Sequence, residues 1–162
     1  MPVRGDTYAT RRHLPHLEKA GKTYFVTFAT LLRRVLEPGQ RDIVHTSCLN
    51  EHELSCFLEC FVVMPDHVHL VLAPYPDVRL PVILQRVKSV SAHRLNRLSG
   101  NHGALWQDES FDRILRTTEN LRQKCEYVCN NPVRAGLVSR IDDYPWVWRG
   151  GQAPSPVPLY AK

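Results

Sequence analysis

Residues 54–72 read LSCFLECFVVMPDHVHLVL and carry the clearest local pattern in the chain. The first part, residues 54–63, is rich in apolar and aromatic side chains and indicates a strand. Pro65 interrupts it, because proline donates no hydrogen bond to a sheet. Residues 67–72 then resume the extended pattern. Two strands separated by so short a break are predicted to pair as an antiparallel hairpin.

Five further elements flank this hairpin, as periodicity and composition indicate. They are strands at residues 23–30 and 104–115, a short helix within 40–53, and helices at 80–98 and 118–131. Thr118 is the expected N-cap of the last helix, and Pro132 is expected to end it. The order strand, helix, strand, strand, helix, strand, helix predicts an α+β fold. We expect a ferredoxin-like sandwich, with an antiparallel sheet and helices packed mainly on one face.

Composition is ordinary for one soluble domain: the chain has 162 residues, 43% of them hydrophobic and 23% charged. Basic residues outnumber acidic ones by 21 to 16, which favours a polyanionic partner about as much as a plain solvated surface. No run approaches the roughly 20 apolar residues of a membrane span. No apolar core follows the basic N-terminal residues, as it would in a signal peptide. We expect no membrane partner and a cytoplasmic location.

The five cysteines form no C-x-x-C pair and are predicted to be free thiols. They are Cys48, Cys56, Cys60, Cys125 and Cys129. For Cys125 and Cys129, which lie four apart in a helical pattern, buried thiols that behave as small hydrophobic side chains are the expected state. A structural zinc site would need a different spacing.

His67 and His69 lie two residues apart on a predicted strand, so both project from the same face. Two neighbouring imidazoles on a rigid strand suit a divalent cation. The alternative is a pair of polar residues on a solvated face, and for an isolated His-x-His this alternative is the commoner one.

The last predicted helix separates its residues into two stripes at about 100° per residue. Leu121, Cys125 and Val128 form the expected buried stripe. A second stripe is polar and contains Asn120, Lys124, Tyr127 and Asn131. A half-buried tyrosine beside an asparagine at a helix end would explain it without any chemistry. The same side chains also suit a nucleophile, an amide metal ligand and, in Lys124, a stabiliser of a phenolate, although an exposed surface lysine is the commoner explanation of Lys124.

Five runs along the chain resemble those of the REP-associated tyrosine transposases, relatives of the single-tyrosine HUH insertion-sequence transposases. They are RRHLPH (11–16), YFVTF (24–28), VMPDHVHL (63–70), LWQ (105–107) and NPVRAGLV (131–138). The resemblance implies that residues 23–145 form the transposase domain, between a basic N-terminal segment (1–22) and a C-terminal tail (146–162). Residues 36–58 and 109–112 depart from the family pattern, which puts the contacts that set DNA specificity in doubt.

By this resemblance, His67, His69 and Asn131 bind Mg²⁺ or Mn²⁺, and Tyr127 is the catalytic nucleophile. The implied activity is cleavage and rejoining of single-stranded DNA, folded as imperfect palindromic hairpins, through a 5′-phosphotyrosine intermediate. The implied protein is associated with the nucleoid and acts as a monomer or homodimer.

Basic and aromatic residues outside this set are candidate DNA contacts. They are Arg11, Arg12, Lys88, Arg94, Arg97, Trp106, Arg113 and Arg116. Each basic residue has a solvated surface charge as its alternative, and Trp106 a place in the core. Residues 144–148, rich in aromatic side chains, are expected either to dock on the sheet or to contact DNA.

Three other functions remain open from the residues. The first is a hairpin-binding protein that derives from a transposase but does not cleave DNA. The second is a hydrolase that uses metal-activated water at His67 and His69. The third is an RNA-binding module built on an aromatic sheet, which would leave the histidines and Tyr127 without a role.

Overall fold

The computed structural model describes residues 22–150, which form one sheet and three α-helices. The elements in chain order are β1 (Thr23–Ala29), α1 (Pro38–Leu49), β2 (Cys56–Val63), β3 (His67–Pro74), α2 (Leu80–Ser99), β4 (Phe111–Leu115), α3 (Thr118–Arg134) and β5 (Val147–Arg149). The predicted order of elements is confirmed, with β5 in addition. None of the helices in this part of the chain is long and apolar enough to cross a membrane.

The sheet is antiparallel throughout, with the strand order β4-β1-β3-β2-β5. The predicted hairpin is confirmed as β2 and β3. Strand β3 is the central strand, hydrogen-bonded to β1 on one side and to β2 on the other. His69 therefore lies opposite Thr27 on β1 and Val62 on β2.

The sheet separates two apolar layers, and this arrangement confirms the predicted α+β fold class. Helices α1 and α2 share one face, where Phe28, Phe61 and Leu70 are almost fully buried. Helix α3 covers the other face and packs through Leu121 and Val128. Two of the three helices thus lie on one side, and the single helix lies on the other.

Strand β3 places alternate side chains in these two layers. Val68 is completely buried in the α1–α2 layer. His67 and His69 project from the opposite face, toward α3. The prediction that both histidines share one face is confirmed.

The predicted end of the last helix was wrong. Helix α3 runs through Pro132 to Arg134. Gly136, two residues beyond the end of the helix, terminates it: its φ of 77° is the left-handed conformation that glycine adopts at little cost. The amide groups of Gly136 and Leu137 donate to the carbonyls of Val133 and Pro132, which gives the Schellman pattern. The N-cap was also predicted one residue late, because Thr117 accepts the Asn120 amide.

The segment 144–148 docks on the sheet, one of the two predicted alternatives. Tyr144 donates its hydroxyl to the Val63 carbonyl at 2.7 Å, and Trp146 donates its indole N–H to Asp42 at 2.8 Å. Strand β5 then pairs with β2. Residues 147–149, which the sequence assigned to a C-terminal tail starting at residue 146, are thus part of the sheet. The proposed N-terminal segment, apart from Lys22, lies outside the described residues.

Candidate active site

His67, His69, Tyr127 and Asn131 line one cleft of about 590 Å³ between β3 and α3. The centres of the His67 and His69 rings are 4.7 Å apart. The centre of the Tyr127 ring lies 6.1 Å from that of His69. The strand and the helix therefore bring together the four residues that the sequence singled out.

Each histidine is oriented by an oxygen atom at Nδ1. His69 Nδ1 lies 2.7 Å from Thr27 Oγ1, and His67 Nδ1 lies 2.7 Å from Asp66 Oδ1. When Nδ1 carries the proton and donates it, Nε2 becomes the lone-pair nitrogen of the ring. This arrangement is the usual way in which proteins fix the tautomer of a metal-binding histidine.

His69 is held in its neutral form by its surroundings. Burial lowers the pKa of His69 to about 3, and the nearby charges of His67, Lys124 and Arg134 act in the same direction. Phe25 stacks against its ring at 5.4 Å between centres. Neutral imidazole is the form that binds a metal ion.

The donor set fits a divalent cation with open positions. Among the described residues, no cluster of three or more histidines, cysteines or carboxylates could hold a metal ion. The cleft instead offers two imidazoles and the amide of Asn131. Such a set has no formal charge and leaves coordination positions for a substrate oxygen and water.

Tyr127 is the aromatic residue of α3, with 42% of its surface exposed. Phe25 contacts its ring edge-on at 6.3 Å. The Lys124 ammonium lies 4.7 Å from the ring centre, and the Arg134 guanidinium lies 4.1 Å from it. Both cations thus make cation–π contacts with the phenol ring.

Arg134 is a site residue that the sequence analysis missed. Because the helix was predicted to end at Pro132, Arg134 was not placed on the helical stripe of Tyr127. The signal that would have found it is Gly136, because a glycine two residues beyond a helical pattern is a typical C-terminal cap.

A family model described as "Transposase IS200 like" matches residues 29–131, well over half of the chain. The chain belongs to the IS200-like transposase family. The matched region contains both histidines, Tyr127 and Asn131, four of the residues that line the cleft. The resemblance stated from the sequence is confirmed.

Two curated relatives and one solved structure agree with this assignment. A REP-associated tyrosine transposase of Escherichia coli K12 is 23% identical over 129 residues, 78% of this chain and 75% of that protein. A candidate REP-associated tyrosine transposase of Haemophilus influenzae is 24% identical over 94 residues, 52% of this chain, and the match spans about half of that relative, 53%. The structure of a REP-associated tyrosine transposase bound to a REP hairpin matches with a TM-score of 0.67 at 22% identity, over 78% of this chain and 76% of that one, which shows the shared fold.

Trp106 is not placed to act as a DNA-stacking platform. Only 5% of its surface is exposed, and its ring packs edge-on against Phe28 at 4.8 Å. Its indole N–H donates to Ser91 at 2.9 Å. The alternative of a core residue is therefore the correct one, because a base could not reach the ring.

The basic residues proposed as DNA contacts lie in different places. Arg113 and Arg116 lie beside α3 and line a second pocket together with Lys124. Lys88 donates to the carbonyls of Gln107 and Asp108, at the edge of another pocket. Arg94 and Arg97 are on α2, in the layer opposite the candidate active site. Arg11 and Arg12 are outside the described residues.

Residues 109–111, within the second of the two segments that depart from the family pattern, form one wall of the cleft. Glu109, Ser110 and Phe111 line it together with Tyr127. Phe111 is 55% exposed, so much of its ring is accessible from the cleft. The sequence analysis assigned no role to it, and Trp106 was chosen as the aromatic platform instead.

The cysteines are all free, as predicted. Cys48, Cys56, Cys60 and Cys129 are buried, and Cys125 is half-buried. Burial raises the pKa of Cys60 well above its usual range, and contacts with Cys125 and Cys129 act in the same direction. These thiols fill the space between β2 and α3 as small apolar side chains.

Proposed function

We propose that this protein is a metal-dependent transposase that cleaves and rejoins single-stranded DNA through a phosphotyrosine intermediate. One observation carries the proposal: Tyr127 on α3 faces His69 on β3 across the cleft, with 6.1 Å between ring centres. Family membership supports a DNA-processing enzyme. The exposure of Tyr127 and the neutrality of His69 support the roles of nucleophile and metal ligand.

The metal ligands would be Nε2 of His67, Nε2 of His69 and the side-chain oxygen of Asn131. The chemistry that Mg²⁺ or Mn²⁺ supplies at such a site is polarisation of a non-bridging phosphate oxygen. Thr27 and Asp66 keep the two imidazoles in the required tautomer and orientation. Because none of these three ligands is a carboxylate, none of them would repel the negatively charged phosphodiester.

In the proposed step, the Tyr127 hydroxyl oxygen attacks phosphorus and forms a new P–O bond. The bond from phosphorus to the 3′-oxygen breaks, the phenol loses its proton, and the 3′-oxygen gains one. The product is a 5′-phosphotyrosine and a free 3′-hydroxyl. Because one phosphodiester replaces another, strand rejoining needs no nucleotide cofactor.

Lys124 would favour the phenolate of Tyr127. Its ammonium lies over the rings of both Phe25 and Tyr127, and the side chain is half-buried. These contacts distinguish it from a freely solvated surface lysine. A cation held beside a phenol stabilises the anion that deprotonation creates.

Hairpin DNA is the proposed substrate, and the cytoplasm, in association with the nucleoid, is the proposed location. The structural neighbour described above is bound to a REP hairpin, and its fold covers most of this chain. The excess of basic residues supports an anionic partner. Gel filtration of the protein with and without the hairpin will distinguish a monomer from a homodimer.

The test uses a hairpin with single-stranded flanks, labelled at its 3′ end because the fragment joined to Tyr127 would carry that end, and incubated with Mn²⁺. The proposal predicts a DNA–protein adduct that survives denaturing electrophoresis and that disappears in Tyr127→Phe. A protein that only binds hairpins would give a salt-sensitive shift and no adduct. A hydrolase that uses activated water would cleave equally well in Tyr127→Phe, and this result would overturn the proposal.

A further inference from the structure

Edge strand β4 carries an aromatic and a basic side chain on the face that holds His69. Phe111 lies opposite Thr27, and Arg113 lies opposite Phe25. Both are two residues apart and therefore share a face. Phe111 is 55% exposed and forms part of the cleft wall beside Tyr127. Its ring contacts Phe25 edge-on at 6.2 Å, which supports it from below while the rest stays accessible.

A second pocket, of about 390 Å³, lies between β4 and α3. Its charged lining consists of Arg113, Arg116 and Lys124. Asn120 and Gln123 add amide groups, and the Gln123 amide donates to Glu119 at 2.8 Å. Lys124 also lies over the Tyr127 ring, so this pocket adjoins the nucleophile.

The charges of this second pocket are not balanced within the described part of the chain. None of the ion pairs there involves Arg113, Arg116 or Lys124. Burial lowers the pKa of Lys124, and the charges of Arg113 and Arg134 lower it further. By contrast, Arg122 on the same helix pairs with Glu119 and Glu126. Cations that repel one another in a pocket are stabilised by a bound anion.

We propose that the β4–α3 groove, defined as Phe111 together with the second pocket, binds the single-stranded DNA that flanks the scissile phosphate. Phe111 stacks on a base, and Arg113 and Arg116 hold backbone phosphates. Asn120 and Gln123 are placed to contact the edge of the next base. The combination of a stacking ring with adjacent cations is the general means by which proteins hold single strands. This assignment rests on the proposed function and adds to it the path of the single-stranded DNA across the protein.

The groove is tested by binding without cleavage, in Tyr127→Phe protein and without added metal ion. The probes are a blunt DNA hairpin and the same hairpin with a fluorescent single-stranded extension. Phe111→Ala is expected to weaken binding of the extended hairpin at least about fivefold, and Phe111→Trp to restore it. The double variant Arg113→Gln/Arg116→Gln is expected to reduce the slope of log affinity against log salt by about 1 to 2.

Arg122→Gln is the matched control, because Arg122 is on α3 but outside the groove. It should leave both affinities unchanged. Thermal melts will show that the exposed Phe111 can be replaced without unfolding. Equal losses for the blunt and the extended hairpin, or no loss for either, would overturn the groove while leaving the adduct result intact. Failure of the unsubstituted protein to bind either DNA would overturn the proposed function as well.

Discussion

His69 Nδ1 and Thr27 Oγ1 are 2.7 Å apart across the β1–β3 pair, in which the two residues are direct partners. Since β3 is the central strand, the contact is supported on both sides by the backbone ladder. A hydroxyl from the neighbouring strand thus sets the orientation of the buried imidazole. The orientation of His69 is consequently a property of the sheet and not of a loop.

Thr27→Val should weaken metal binding while leaving the fold intact. The substitution keeps the shape and removes the hydroxyl that orients His69. Loss of such a partner is expected to reduce affinity for Mn²⁺ about 10- to 100-fold. Isothermal titration with Mn²⁺ measures it. Thr46→Val is the control, because the Thr46 hydroxyl is buried without a hydrogen-bond partner, and metal affinity should be unaffected.

Arg134→Gln should slow formation of the covalent adduct about tenfold at saturating DNA, with little change in stability. The guanidinium lies 4.1 Å from the centre of the Tyr127 ring and is positioned to meet the charge of the attacked phosphate. A time course of adduct formation measures the rate. Arg140→Gln is the comparison, since Arg140 lies beyond α3 and pairs with Asp142. Equal rates for both variants would show that Arg134 has no part in the reaction.

Trp106→Ala should destabilise the protein by about 3 to 5 kcal/mol, because a large buried ring and its hydrogen bond to Ser91 are lost. Phe111→Ala should change stability by only about 0.5 kcal/mol, because that ring is largely exposed. Urea unfolding measures the free energy of unfolding of both variants and so tests both predictions. A small effect for Trp106 would mean that the ring is not a core residue.

His45 should make the protein less stable in mild acid. Burial lowers the pKa of His45 to about 4, against a small opposing effect of Asp42, so the unfolded chain takes up a proton before the folded one. Stability is therefore lost as the pH falls from about 6.5 toward 4. The expected loss between pH 7 and pH 5 is about 2 kcal/mol. Urea unfolding at pH 7 and pH 5 measures the free energy of unfolding. In His45→Leu, the loss of about 2 kcal/mol between these pH values should be absent. A loss as large as in the unsubstituted protein would contradict the prediction.

The site was largely predictable because it depends on two local periodicities. Alternation along a strand placed His67 and His69 on one face, and the helical stripe placed Tyr127 with Asn131. Which strand pairs with which helix required the family resemblance. Spacing within one element says nothing about its partners across the sheet.

The errors arose where a nearby residue was interpreted without its tertiary context. Pro132 was treated as a helix end, although a proline in the last turn costs one hydrogen bond that the Gly136 cap helps to offset. Trp106 and Phe111 were distinguished only by burial, which depends on the packing of Phe28 and α2. The short strand β5 has too few residues for a periodic signal.

The partition of the molecule by its sheet has a practical consequence for engineering. The four residues of the candidate active site, His67, His69, Tyr127 and Asn131, lie on the α3 side, whereas the larger apolar layer lies on the α1–α2 side. Substitutions that improve packing beneath α1 and α2 can raise the melting temperature without touching any of these four side chains. Reporter dyes attached to the outer surface of α2 would likewise leave them undisturbed.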